Sequence, residues 1–260
     1  GAIVSPHGTL EEMYLTGKLM RSIGSGNVDF RLRQSDFSGR RSGAPWLGMK
    51  VAELNKLDRV LLVGSFLRKD QPLVAQRLRQ AVKRGAMVSA IHAADDDLLM
   101  KVSGKLIAAP SQVPERLAQV VKGVAELKGA ACALEVTVGA DARRIAESLV
   151  SGQNTAVLLG NFAQQHVRAA TLSALAQQLA GYLGGRFGVL GEAANSVGGY
   201  VAKAVPAEAG MNVAQMLADP RKAYLVVGAE PELDCADGAR ANAALQQAET
   251  VVVLSPFKSE

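Results

Sequence analysis

The sequence predicts an α/β fold on parallel sheets, with two Rossmann-like domains. Three observations carry that reading: a complete βαβ unit at Leu57–His92, its recurrence further along the chain, and short apolar strands that end on glycine. In the first unit, Val60–Val63 is an apolar run that stops at Gly64, as a strand buried on both faces does. Pro72 opens a helix, because its missing N–H has no partner in a first turn anyway. Leu73, Val74, Leu78, Ala81 and Val82 form one apolar face at helical spacing. Lys83 and Arg84 complement the carbonyl end of the helix, and Gly85 supplies its left-handed stop. Ala86–Ile91 returns as a second strand, and a crossover of this length makes the two strands parallel and the connection right-handed.

The same pattern follows twice more. Asn154–Gly160 reads as strand, Gln164–Leu183 as helix and Phe187–Leu190 as strand. Ala223–Gly228 is a strand, Asp237 caps a helix through Gln247, and Thr250–Leu254 is the last strand. Before these units, Gly1–Val4 reads as a strand and Thr9-Leu-Glu-Glu12 as a capping box. The box opens a helix faced by Leu10, Met13, Tyr14, Gly17 and Met20. Gly39–Gly48 reads as a surface loop, and Ala94–Ser111 has weak periodicity. Pro114 starts a helix with Leu117, Val120, Val121, Val124 and Leu127 apolar. Gly129–Gly139 fits a strand or a connection, and Asp141 caps a helix to Val150. Gly191–Pro206, with little periodicity, suits a crossing between domains. The expected organisation is an inserted α/β domain over 36–189, with 1–35 and 190–260 forming a second, discontinuous one. The reason is that the lone strand Gly1–Val4 and its helix need a sheet, which the C-terminal strands can provide.

Composition narrows the function classes. Apolar residues are 48% and charged residues 20%, ordinary for a folded chain with a large core. No apolar run approaches the roughly 20 residues of a membrane span. No charged start or cleavage site of a signal peptide is visible. Two cysteines, Cys132 and Cys235, are too few for a disulfide framework and fit a reducing compartment. Aromatics are 4%, which argues against a base-stacking nucleic-acid surface. The net charge is +5, with one denser basic patch at Arg31, Arg33, Arg40 and Arg41, read as a solvated or partner-facing surface. Gly1–Val4 reads like the middle of a strand, and Lys258-Ser-Glu follows one directly, so the chain is expected to be a piece of a longer subunit.

Candidate chemistry is sparse. Gly64-Ser65 and Gly160-Asn161 each end a strand before a helix, where backbone N–H groups can cradle phosphate. Neither carries Gly-x-Gly-x-x-Gly or a P-loop lysine. His92 ends a strand at the edge where α/β sheets bind ligands. Gly64, Ser65, His92 and Gly160 are therefore the cleft candidates. His7 and His166 lack metal-ligand spacing, and His166 reads as exposed, early in a helix. Asp95, Asp96 and Asp97 point in different directions on any regular element and read as a solvated face rather than a cation site. Cys235 sits in a helix-start context that lowers a thiol pKa, although a buried structural cysteine is the plainer reading. No nucleophile triad is evident. Catalytic and metal residues are expected to be none.

Four stretches carry a resemblance. They are Leu10-Glu-Glu-Met-Tyr-Leu15, Gly24-Ser-Gly-Asn-Val-Asp-Phe-Arg-Leu-Arg-Gln34, Phe187-Gly-Val-Leu-Gly-Glu-Ala-Ala-Asn-Ser-Val-Gly-Gly-Tyr200 and Gly228-Ala-Glu-Pro-Glu-Leu-Asp-Cys-Ala-Asp237. In this order they resemble the molybdopterin-oxidoreductase superfamily, the formate dehydrogenase/DMSO reductase type of fold. More narrowly, they resemble the large iron–sulfur subunits of bacterial respiratory complex I, the NADH:quinone oxidoreductase. In the superfamily's pterin enzymes the glycine turn continues Ser-Asn-Pro and the next strand ends near Pro-Arg, groups that hold the dinucleotide ends of the cofactor. Here Gly64-Ser65 is kept, but Phe66 and Leu67 replace Asn and Pro, and the next strand ends Ile91-His92-Ala93. Losing two or three such contacts removes about 3–9 kcal/mol, or roughly 2–6 decades of affinity.

The resemblance thus implies a cofactor-free scaffold domain that supports electron transfer from NADH to quinone. It has no active site of its own, and the iron–sulfur clusters lie in upstream sequence. Its implied partners are that cluster-bearing region and other subunits of the hydrophilic arm, with no nucleic acid and no membrane span of its own. Its implied place is peripheral, on the cytoplasmic side of the inner membrane. Two readings compete: the cofactor-binding domain of a molybdopterin-dependent oxidoreductase, and a nucleotide-binding module.

Overall fold

The computed structural model describes residues 1–39 and 43–257. Arg40 and Arg41 of the basic patch, and the end at Lys258–Glu260, lie outside the described residues. In chain order the elements are β1 (Ala2–Val4), α1 (Leu10–Ser22), β2 (Val28–Asp29), β3 (Arg59–Val63), α2 (Leu67–Asp70), α3 (Pro72–Lys83), β4 (Met87–His92) and β5 (Val102–Ile107). There follow α4 (Val113–Lys128), α5 (Ala140–Val150), β6 (Thr155–Leu159), α6 (Asn161–Gln165), α7 (Ala169–Leu183) and β7 (Arg186–Val189). The last are α8 (Ser196–Val201), α9 (Val213–Ala218), β8 (Ala223–Val227), α10 (Pro231–Asp234), α11 (Gly238–Gln246) and β9 (Thr250–Leu254). No helix among the described residues is long and apolar enough to cross a membrane.

The described chain falls into two compact units, one from residues 45–190 with 36–39, the other from residues 1–35 and 191–257. The first carries a five-stranded sheet in the order β5-β4-β3-β6-β7, every pair parallel. Strand alternation sends Leu61, Val63, Val157 and Leu159 to one face, under α4, α5 and α7. Val60, Leu62, Ala156 and Leu158 go to the other, under α3 and the short turn at Val51–Lys56. Both faces are therefore dry, as a parallel sheet requires.

The second unit carries a four-stranded parallel sheet, β2-β1-β8-β9. Ile3 of β1 pairs with Asp29 on one side and with Val226 of β8 on the other. The capping box of α1 is complete: the Thr9 side chain accepts from Glu12 N–H, and the Glu12 carboxylate accepts from Thr9 N–H. Asp29, at the end of β2, is fully buried. Its carboxylate accepts from the Arg31 guanidinium at 2.7 and 3.0 Å and from Val213 N–H, in the first turn of α9, at 3.0 Å. Burial alone would lower the Arg31 pKa, but the charge and hydrogen bonds of Asp29 raise it. Arg31 is thus an internal ion-pair partner rather than part of a solvated basic patch. Arg33 bonds the Leu233 carbonyl.

Several local expectations are corrected. The helix read over Gln164–Leu183 is two helices, broken at His166, whose backbone is extended. His166 is buried, not exposed: its Nε2 meets Pro110 O at 2.9 Å, and its Nδ1 accepts Arg168 N–H at 2.9 Å. These side-chain bonds replace the helical ladder there. The weakly periodic stretch after Ala94 contains β5, an edge strand in which only Leu106 is buried. Residues 130–139 form a connection, with Leu134, Val136 and Val138 packed against the core. Asp141 lies in the first turn of α5 rather than at its cap, which is Gly139. Residues 196–201, read as a crossing, include helix α8.

On α1, Met13, Thr16, Gly17 and Met20 face the core, whereas Leu10 and Tyr14 are exposed. On α3 Ala75, Leu78 and Ala81 are buried, Val74 and Val82 pack against the same core, and Leu73 is 78% exposed. Leu127 of α4 is also exposed. The difference on α3 is measurable. Leu78→Ala should cost about 2–5 kcal/mol in urea unfolding, and Leu73→Ala less than about 0.5 kcal/mol. Equal costs would show that α3 is seated on a different face.

Candidate functional site

The strand order defines one topological switch point. From β3 the chain runs outward through β4 and β5 on one side and returns to β6 and β7 on the other. Open α/β sheets bind ligands at the carboxyl ends of the strands flanking such a point. The structure brings all four cleft candidates to this edge: Gly64-Ser65 follows β3, Gly160 follows β6, and His92 ends β4. Gly64 N–H bonds Ile91 O at 2.8 Å, and Gly160 N–H bonds Val63 O at 2.9 Å, so the strand ends are stitched together.

The two glycine turns lie on each other. Gly64 has φ +57°, and a Cβ there would sit 2.6 Å from Ala163 N; a Cβ on Gly160 would sit 2.3 Å from Ser65 Cβ. Glycine is needed here for contact between the turns.

Aromatic side chains fill the rest. Phe66 and His92 meet edge to face with centroids 4.3 Å apart, His92 and Phe162 are 5.3 Å apart, and Phe162 and His166 are 5.9 Å apart. The Lys69 ammonium lies 5.7 Å from the Phe66 centroid. His92 is buried, and its Nδ1 accepts Ala94 N–H at 2.9 Å. The neutral ring therefore carries its proton on Nε2, which has no partner. Ser65 Oγ, Asn161 Oδ1 and Asp96 Oδ2 are buried without partners as well. Burial pushes the His92 pKa below its usual 6.5, against the pull of Asp96 and Asp70. Burial pushes the Asp70 carboxyl up, opposed by a hydrogen bond from Asn161 and by the charges of His92 and Lys69.

The other candidates are dispersed. Asp95 pairs with Lys105, Asp96 faces Arg68 at 3.9 Å, and Asp97 accepts Leu99 N–H. Among the described residues no group of three or more His, Cys, Asp or Glu side chains could hold a metal ion. His7 is exposed, in the loop before α1. Cys235 is buried, and its thiol is pushed up to about 12, first by burial and then by Asp234, Glu232 and Asp29. A lowered thiol pKa is therefore corrected: the neighbouring charges are negative. Sequence reasoning named the Gly160-Asn161 turn but missed Phe162 as part of the edge. Its signal was available, because it lies two residues after the strand-ending Gly160.

A doubly wound parallel sheet with this edge defines an α/β protein of the Rossmann-like type, and the comparisons narrow it. The chain belongs to the molybdopterin oxidoreductase family, which it matches over residues 1–260. It is 30% identical over 173 aligned residues to the G subunit of NADH-quinone oxidoreductase from Mycobacterium bovis, and equally to that from Mycobacterium tuberculosis. Each match covers 54% of this chain and 21% of the relative, so the matched part is about a fifth of the length of those proteins. In fold it is similar to a chain of the formyltransferase/hydrolase complex from Methylorubrum extorquens, solved with methylofuran. The TM-score is 0.64 and the identity 13%, over 100% of this chain and 75% of that one.

The residues at the edge do not fit the anionic dinucleotide end of a pterin cofactor. The close approach that glycine allows is taken by the opposite turn, and two phenylalanine rings pack on His92 beside it. Asp70 and Asp96 add negative charge, while Lys69 lies over Phe66 and Arg68 faces Asp96.

Two measurements check this description. The folded-state pKa of His92 lies below the unfolded value, so the unfolded chain binds the extra proton first. The contribution of His92 is complete above about pH 6.5 and declines as pH falls from there to the folded-state pKa. His92→Asn, whose Oδ1 can replace Nδ1 as acceptor, should flatten that part of the stability–pH curve; an unchanged slope would assign it elsewhere. At pH 8, iodoacetamide should modify Cys132 and leave Cys235 unmodified until the protein is unfolded in urea. Equal labelling of both thiols in the folded protein would contradict the burial of Cys235.

Proposed function

We propose that this chain is a scaffold domain of the large iron–sulfur subunit of an NADH:quinone oxidoreductase, holding no pterin and performing no redox step itself. The observation that supports it most is the switch-point edge, where the protein's own Phe66, His92 and Phe162 pack against one another. The family and the two mycobacterial relatives supply the context. In this reading the domain packs on the cluster-bearing part of the subunit and on its neighbours in the peripheral arm. That arm lies on the cytoplasmic side of the membrane, where electrons pass from NADH to quinone. A second reading, a molybdopterin-dependent oxidoreductase domain, is favoured by one observation: Ser65 Oγ and His92 Nε2 are buried without partners.

Elemental and pterin analysis of the parent oxidoreductase, isolated through this chain, separates the two. The scaffold reading expects NADH:quinone activity to co-purify with the chain. It also expects molybdenum, tungsten and pterin below about a tenth of stoichiometry, set by the affinity loss estimated for the turn. Stoichiometric molybdenum and pterin, lost on Ser65→Leu, would establish the second reading instead.

A further inference from the structure

Two buried histidines at the edge between β3 and β6 are fastened in the same way. His92 ends β4, and its Nδ1 accepts Ala94 N–H at 2.9 Å. His166 follows α6, and its Nδ1 accepts Arg168 N–H at 2.9 Å. In each case a ring nitrogen takes the backbone N–H two residues on and pins the turn that leaves the edge. One turn leads from β4 towards β5, the other from α6 into α7. The Phe162 ring neighbours both imidazoles, 5.3 Å from His92 and 5.9 Å from His166.

An imidazole nitrogen accepts a hydrogen bond only while it carries no proton. Both bonds therefore require the neutral ring with its proton on Nε2. In His166 that Nε2–H donates to Pro110 O at 2.9 Å, and in His92 it has no partner. A proton added to either Nδ1 sets N–H against N–H, and the turn has to let go. For His92 the charged ring has groups to turn to. Burial disfavours it, but the Ala94 backbone, Asp96 and Asp70 favour it. Asp96 Oδ2, four residues on in the same connection, is buried without a partner. From α2, Arg68 faces the other Asp96 oxygen at 3.9 Å and Lys69 lies over Phe66. From α6, Asn161 is uncharged and bonds Asp70. At the His166 corner stand the exposed Arg168 and Asp36, which accepts Ala170 N–H in the first turn of α7. The Pro110–Gln112 turn against His166 carries no charge.

We propose that His92 and His166 form an acid-sensitive latch. While both rings are neutral they hold the β4–β5 connection and the α6–α7 corner in place at the edge, and on protonation they release them. The release is local. The bonds that stitch the strand ends beneath, Gly64 N–H to Ile91 O and Gly160 N–H to Val63 O, involve no titrating group. The latch is independent of the scaffold reading and gives the edge a pH response under either reading of it.

The test is NMR of this chain from about pH 7.5 to about pH 4.5, on either side of the ordinary histidine pKa near 6.5. The amide protons of Ala94 and Arg168 should shift with the same midpoints as the rings of His92 and His166. Across that range the backbone order parameters at 94 and 168 should fall from about 0.85 to below about 0.6, while Val157 in the middle of β6 stays near 0.85. His92→Asn should keep residue 94 ordered at the acid end, and His166→Asn residue 168, because Asn Oδ1 accepts the same N–H and does not titrate. One check needs no variant: at pH 7.5 the ring nitrogen shifts should show the Nε2–H tautomer for both histidines. An Nδ1–H tautomer in either ring would overturn the proposal. So would unchanged order at 94 or 168, loss of order at Val157 together with them, or the same response in the Asn variants.

Discussion

A parallel sheet has to be covered on both faces, because its strands are joined by crossovers that cannot leave the sheet and its backbone has no solvated side. In the five-stranded unit that requirement is met from within. Leu61 and Val63 lie under α4, α5 and α7, and Val60 and Leu62 lie under α3. The same rule fixes the direction of each crossover, and so the point where the direction reverses. The edge between β3 and β6 follows from it.

At the reversal point the fold offers what an anionic cofactor uses: strand-ending glycines, helices starting just beyond, and a crevice. The side chains convert this into packing. Phe66 and Phe162 flank His92, and the glycines allow the two turns to meet. Each aromatic contact is worth about 0.5–1.5 kcal/mol beyond its buried area. The unpartnered Ser65 Oγ and His92 Nε2 are the cost that remains.

Much of this was legible in the sequence because the βαβ signal is local. An apolar run, a glycine and a proline-started helix are read within a few residues, and Gly64 and Gly160 announce the edge by ending their strands. The break at His166 was not legible. The apolar spacing of α7 continues backwards through it, and what interrupts the helix is a bond to Pro110 O, 56 residues away. Leu73, Leu10 and Tyr14 were misplaced for a related reason. Both helices carry more apolar residues than one face holds, and which of them are covered depends on neighbours from distant sequence. The strand β5 was hidden because a solvated edge containing Gly104 and Lys105 loses the alternation that marks a half-buried strand.

The hydrogen bond from Val189 N–H to Trp46 O, 2.8 Å long, joins the entry and exit of the five-stranded unit. Strands β1 and β8 pair across the whole intervening chain. Closing a free loop of about 155 residues costs roughly 4.5 kcal/mol in chain entropy. Once the five-stranded unit has folded, its two ends are already held side by side, and most of that cost has been met by its own contacts. The connectivity therefore favours an order of folding in which the central segment condenses before the discontinuous unit closes. A destabilising change in the central sheet then slows formation of a sheet in which it has no residue.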